Sequence, residues 1–249
     1  MGMEISHIHC CKLAVFFLNK TEPHSFFLER MRLRFRGNII TQTGKRFPSC
    51  HIHSAHVRRG REEESLLSED VIVRLGAPTL AGIKTGSLFT CDYSSKTDVE
   101  ESVRRLNRSL SPKGLCLLPL RYSAKRVLLY LFRPLWLQKD LEDRQACELL
   151  RREGYPCGSC GQCVAMLASR LRQGGDFPHE IGLFLSYPPE DVKGFIENHA
   201  ANYKYSGLWK VYGNEEKAKK LFAKYKKCTD IYCERYEAGC GIADLAVTA

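Results

Sequence analysis

Residues Phe177–Gly213, FPHEIGLFLSYPPEDVKGFIENHAANYKYSGLWKVYG, decide how this chain is read. Ile181 to Leu185 form a short unbroken apolar run, the pattern of a strand buried on both faces. Pro188 and Pro189 end it, and the fixed φ of Pro189 suits the first position of a helix. Glu190 and Asp191 then fall in the first helical turn, where carboxylates meet the positive end of the helix dipole. Val192, Phe195 and Ile196 recur at i, i+3 and i+4, which gives that helix one apolar face. Leu208 to Tyr212 (LWKVY) reads as the next strand.

Upstream, Gly76 to Ser87 is rich in Gly, Pro and Thr and reads as a loop. Thr97 with Glu100 three residues on has the form of a capping box for a helix that runs to Ser111-Pro112. Leu115–Tyr122 and Arg126–Arg133 flank Ser123-Ala124-Lys125 as an antiparallel hairpin. A helix is expected from Leu135 or Asp140 to Glu153, and another from Gln162 to Arg172. Downstream, Asn214 caps a long helix whose apolar positions Ala218, Leu221, Phe222, Tyr225 and Tyr232 keep a 3.6-residue period. Ile242 to Val247 reads as a last strand. The expected fold is α+β: a mixed β-sheet with a hairpin followed by β-α-β-α-β, and helices packed on the sheet.

The net charge of +10 over 249 residues is unevenly placed. Residues 1–61 carry eleven Lys/Arg against three Glu, and residues 62–249 carry twenty-seven against twenty-five acids. The expected domain, residues 65–249, is therefore near neutral, and nucleic acid is not its expected partner. Residues 1–64 hold six of the eight histidines and no sustained period. They read as a disordered extension, or as sequence upstream of the true start. No stretch has the form of a secretory signal, and none approaches the ~20 apolar residues of a membrane span. The twelve cysteines are accordingly read as reduced thiols of a cytoplasmic protein.

The segments APTLAGIKTGSLF, FPHEIGLFLSYPPEDVKGFIEN, GLWKVYG and KKCTDIY carry a resemblance over residues 66–249. The chain resembles the domain-of-unknown-function family numbered 3793, found mostly in anaerobic bacteria. The resemblance implies a soluble intracellular protein and brings no activity, substrate or catalytic residue with it. It departs from the family pattern just before APTLAG, where members often have His-Cys and this chain has Leu75-Gly76.

Three groups of residues are candidates for chemistry. GAPTLAGIKTGS fails the phosphate-loop spacing, because Ile83 separates Gly82 from Lys84-Thr85. Its KTG has no S-x-x-K to accompany it. What remains is a loop presenting Thr79, Lys84, Thr85 and Ser87 to a small anion, with Trp209, Lys210 and Tyr212 of the LWKVY strand expected beside it. His179 and Glu180 are candidates for acid–base work at the same pocket, or for structural contacts alone. Cys157, Cys160 and Cys163 in CGSCGQC have the spacing of an iron–sulfur or zinc site, completed by Cys147, Cys228, Cys233 or Cys240. The functional expectation is a small-molecule or redox-linked protein, with a redox partner protein as one option and a thiolate-metal protein as the alternative. Enzyme and binding protein are both left open.

Overall fold

The computed structural model describes residues 67–156, 158–173 and 177–248. The expectations for residues 1–64 lie outside the described residues. Helix α1 (Glu69–Leu80) leads into β1 (Gly86–Asp92), α2 (Lys96–Leu110), β2 (Cys116–Tyr122) and β3 (Arg126–Phe132). Then come α3 (Pro134–Glu142), α4 (Arg144–Arg152), α5 (Cys160–Gln173), a single turn α6 (Ile181–Phe184) and α7 (Pro189–Glu197). A two-residue ribbon, β4 (Tyr205–Ser206) and β5 (Lys210–Val211), precedes the long α8 (Glu215–Glu237) and the short α9 (Ile242–Leu245).

The three-stranded sheet has the order β1-β3-β2 and is antiparallel throughout. β3 is its centre, and the strand period of two sends its side chains alternately to two cores. Val127, Leu129 and Leu131 face one core with Ile72 and Ala77 of α1, Val103 and Leu106 of α2, and Ile242 of α9. Leu128, Tyr130 and Phe132 face the other with Leu137 of α3, Leu149 of α4, Leu167 of α5 and Phe184 of α6. Helices therefore cover both faces of a small sheet. Leu129 and Leu131 are fully buried, and cutting such a side chain back to alanine costs about 2–5 kcal/mol. Pro119 sits on the outer strand β2, where a missing amide is tolerated, and the register shifts between Pro119 and Arg121.

The α+β reading and the hairpin are as expected, and so are the cap and span of α8, where Asn214 Oδ1 accepts from the Lys217 amide at 2.8 Å. Several elements differ. The sheet is antiparallel rather than mixed, because the stretches expected as its further strands are helical turns. Ile181–Phe184 bonds locally: the amides of Ile181, Gly182 and Leu183 donate to the carbonyls of Pro178, His179 and Glu180. A short apolar run is buried equally well as one turn of helix, and periodicity cannot separate the two. Ile242–Leu245 is likewise a turn of helix, after which the Val247 amide donates to Leu80 O at 2.9 Å. Of Leu208–Tyr212, only Lys210 and Val211 pair, with Ser206 and Tyr205, in a ribbon separate from the main sheet.

Gly76 to Leu80 belongs to α1 and not to a loop. These five residues are buried, and a Cβ on Gly76 would lie 2.8 Å from Leu131 Cδ2, so the glycine lets the helix settle onto β3. Pro78 stands near the helix end, and its carbonyl takes the amides of Ile83 and Lys84. Helix α2 starts two residues earlier than expected, capped by Ser95 Oγ accepting from Thr97 N at 3.2 Å, while Glu100 pairs with Arg104 at 3.2 Å. The single helix expected before Gly154 is broken at Asp143, whose carboxylate caps α4 through the amides of Gln145 and Ala146.

Candidate functional site

The turn between α1 and β1 presents Lys84. Gly82 provides it by adopting a φ of +66°, a left-handed conformation that favours glycine. Beneath the turn, the wholly buried Arg133 holds the chain by donating to Thr79 O and Leu80 O at 2.9 Å, and to Val247 O at 2.7 Å. Two of these carbonyls are the last of α1, the negative end of its dipole, so a guanidinium suits the position without a carboxylate. Burial still lowers the Arg133 pKa.

Thr85, next along, is fixed on two sides. Its amide donates to Ser186 Oγ at 2.7 Å, and its hydroxyl donates to Asp140 Oδ2 of α3 at 2.6 Å. Ser186 holds a φ of +59°, a strained setting for a residue with a Cβ. It turns the chain from α6 so that Tyr187 comes up beside Lys84. The Lys84 amine lies 5.8 Å from the ring centre of Tyr187 and 6.0 Å from that of Tyr225 on α8. Tyr187 is stacked at 4.5 Å on Trp209, which meets Phe222 edge-on at 4.4 Å. The Trp209 indole N–H donates to Asp191 Oδ2 at 2.8 Å, and Asp191 Oδ1 accepts the amides of Tyr212 and Gly213 at 2.7 Å.

Lys84 makes no ion pair and no hydrogen bond through its amine among the described residues. Burial among the rings lowers its pKa to about 8. Burial also raises the Asp140 pKa, against the opposing effect of the Thr85 hydroxyl. Tyr225 is pushed up to about 12, chiefly by burial and then by Tyr187 and Asp140. The amine is thus a cation at neutral pH that two ring faces attract and no carboxylate neutralises.

A concavity lies at Glu180 and does not include Lys84. Its volume is about 360 Å³, and its walls include Glu153, Arg170, Phe177, His179, Glu180 and Ile196. Glu180 is only 3% exposed; its Oε1 accepts the Tyr155 hydroxyl at 2.8 Å and Arg170 Nη1 at 2.9 Å. His179 is exposed and meets the Phe195 ring edge-on at 5.0 Å.

The family model for Protein of unknown function (DUF3793) matches residues 72–246. The chain belongs to this family. No curated protein and no solved structure matches it significantly.

In this DUF3793 member the residues expected to form one pocket are divided. Thr79 and Ser87 are buried and share a hydrogen bond of 2.9 Å, holding α1 to β1. Trp209 is buried behind Tyr187, so it supports that ring rather than offering a face of its own. Lys210 donates to Ala200 O at 2.5 Å and lies over Tyr203. Tyr212 packs on Gly194, where an added Cβ would fall 2.4 Å from its ring. Lys84 and Thr85 remain together at the turn. His179 and Glu180 share no hydrogen bond, since Glu180 is turned towards Tyr155 and Arg170.

Of the cysteine triplet, Cys157 lies outside the described residues. Cys160 Sγ donates to Pro134 O at 3.6 Å and Cys163 Sγ to Pro156 O at 3.1 Å. Among the described residues no group of three His, Cys, Asp or Glu converges to hold a metal ion. Among the described residues, too, no helix is long and apolar enough to cross a membrane.

Asp140, Ser186, Tyr187 and Tyr225 are the site residues that sequence reasoning missed. Tyr225 carried a signal, its place on the apolar period of α8, but that period reads equally as core. Asp140 and Ser186 carried none, because each acts through a partner distant in sequence.

Proposed function

We propose that this DUF3793 protein binds a small anionic ligand at Lys84, with Tyr187 and Tyr225 forming the aromatic walls of the site. The observation that carries this reading is the Lys84 amine, half-buried between two rings with no acidic partner among the described residues. A desolvated cation without a counter-charge is costly, and a ligand carboxylate or phosphate would relieve that cost. Thr85, pinned by Asp140 and Ser186, fixes the backbone from which the lysine projects. The reading favours a metabolite-sized partner over nucleic acid, because the residues around the turn offer one cation rather than an extended basic track.

Titration of the full chain with inorganic phosphate, sulfate and malonate at pH 7, followed by calorimetry and thermal melting, tests this. At least one anion should bind and raise the melting temperature of the native protein. Lys84→Met should weaken that binding at least tenfold, and Lys84→Arg should keep part of it. Equal binding by the native protein and the Met variant would remove the basis of the assignment.

A further inference from the structure

The cleft at Glu180 is built differently from the turn at Lys84. Its carboxylate is held in one orientation: Tyr155 and Arg170 both donate to Oε1, at 2.8 and 2.9 Å. Oε2 has no donor among the described residues, although the residue is only 3% exposed. Oε2 is not among the polar atoms cut off from water, so this acceptor without a protein donor is open to a donor from outside. Glu180 lines the cleft, so a ligand held there can donate to Oε2.

The charge balance says what kind of donor. Arg170 is the cation of the cleft, and it serves two acids: Glu180 Oε1 at 2.9 Å and Glu153 Oε2 at 3.9 Å. Its guanidinium is also held to the Glu153 carbonyl and lies 4.6 Å from the centre of the Tyr155 ring. The described walls carry two carboxylates, Glu153 and Glu180, against the one guanidinium of Arg170. Phe177 and Ile196 add apolar surface beside the carboxylate, and about 360 Å³ is at the small end of ligand-pocket sizes.

We propose that this cleft binds a small organic amine, whose ammonium group donates to Glu180 Oε2 while its apolar body lies against Phe177 and Ile196. Tyr155 and Arg170 are positioning residues: they hold the carboxylate so that one oxygen is presented to the ligand. The site is independent of the anion reading at Lys84, and the ligand it takes has the opposite charge.

Benzylamine, benzyl alcohol and benzoate, three probes of similar body and different head group, test it by ligand-observed NMR and calorimetry on the full chain. Benzylamine should bind at least tenfold more tightly than the alcohol or the acid. Glu180→Gln should reduce the amine to the level of the alcohol, and Lys84→Met should leave its affinity unchanged. Should Glu180→Gln fail to fold, Phe177→Ala, which leaves the carboxylate and its two donors in place, should weaken the amine several-fold. The proposal is overturned if benzylamine does not bind or if benzoate or the alcohol binds as tightly. Unchanged amine affinity in the folded Glu180→Gln variant, or in Phe177→Ala where Gln does not fold, overturns it as well.

Discussion

Asp191 takes the indole N–H of Trp209 on one carboxylate oxygen at 2.8 Å, and two backbone amides, of Tyr212 and Gly213, on the other. The acid is 3% exposed and stands in the first turn of α7, so three donors and the helix dipole stabilise its charge where a cation would otherwise be needed. This one side chain ties α7 to the β5 ribbon and keeps Trp209 behind Tyr187.

Asp191→Asn tests that tie. An amide group has one acceptor oxygen where the carboxylate has two, so its NH₂ would face a donor. Stability to urea should fall by about 2–3 kcal/mol, the cost of leaving buried hydrogen-bonding groups unmatched. Anion affinity should fall with it, through the loosened Tyr187 stack. A variant as stable as the native protein would show that the three donors are satisfied some other way.

Arg133 gives a second test, at the base of the turn. Its guanidinium donates to the carbonyls of Thr79, Leu80 and Val247, which join the end of α1 to the C-terminal segment. Arg133→Met keeps the bulk but leaves those acceptors unpaired, and should cost at least about 3 kcal/mol in chemical denaturation. Arg133→Lys should recover only part of this, since an ammonium cannot reproduce the planar fork. Full recovery by lysine would mean that charge alone matters there.

How much of this was legible in the sequence depended on range. The hairpin was, because two apolar runs of strand length, Leu115–Tyr122 and Arg126–Arg133, flank a short polar turn. The cap of α8 was, because Asn214 acts on an amide three residues away. Ile181–Leu185 was misread because an apolar run buried on all sides carries no period, and the sheet that would have taken it as a strand does not extend that far. Gly76–Leu80 was misread as loop because Gly and Pro usually punctuate loops, whereas Gly76 here serves the close approach of a helix to Leu131. Lys84 and Thr85 were legible as site candidates from the turn chemistry. Their partners Asp140, Ser186 and Tyr187 lie 55 to 103 positions away and no local pattern connects them. Nor did anything separate Glu180 from Lys84, since short sequence distance to the LWKVY segment suggested one pocket, whereas the cleft at Glu180 does not include Lys84.

Lys84 also predicts a pH dependence with a definite sign. Its pKa falls from 10.5 in the unfolded chain to about 8 in the folded one. Below pH 8 both states hold the proton, and the folded state bears the whole cost of a desolvated charge. Between pH 8 and 10.5 the folded protein releases the proton while the unfolded chain retains it, so this residue's contribution to stability rises with pH. The stability of the native protein minus that of Lys84→Met should therefore increase by about 1–2 kcal/mol across that window, less than the full shift implies because the half-buried side chain is partly screened. A flat difference between pH 7 and 10.5 would show that the amine is not desolvated.

The most direct measurement of the account is calorimetric titration of the native chain with the best-bound of phosphate, sulfate and malonate at pH 7 and again at pH 9.5. At pH 7 the Lys84 amine is protonated and the anion should bind; at pH 9.5, above its pKa of about 8, affinity should drop at least tenfold, and Lys84→Met should bind as weakly as that at both values. Affinity that is the same at the two pH values, or that survives in the methionine variant, would contradict it.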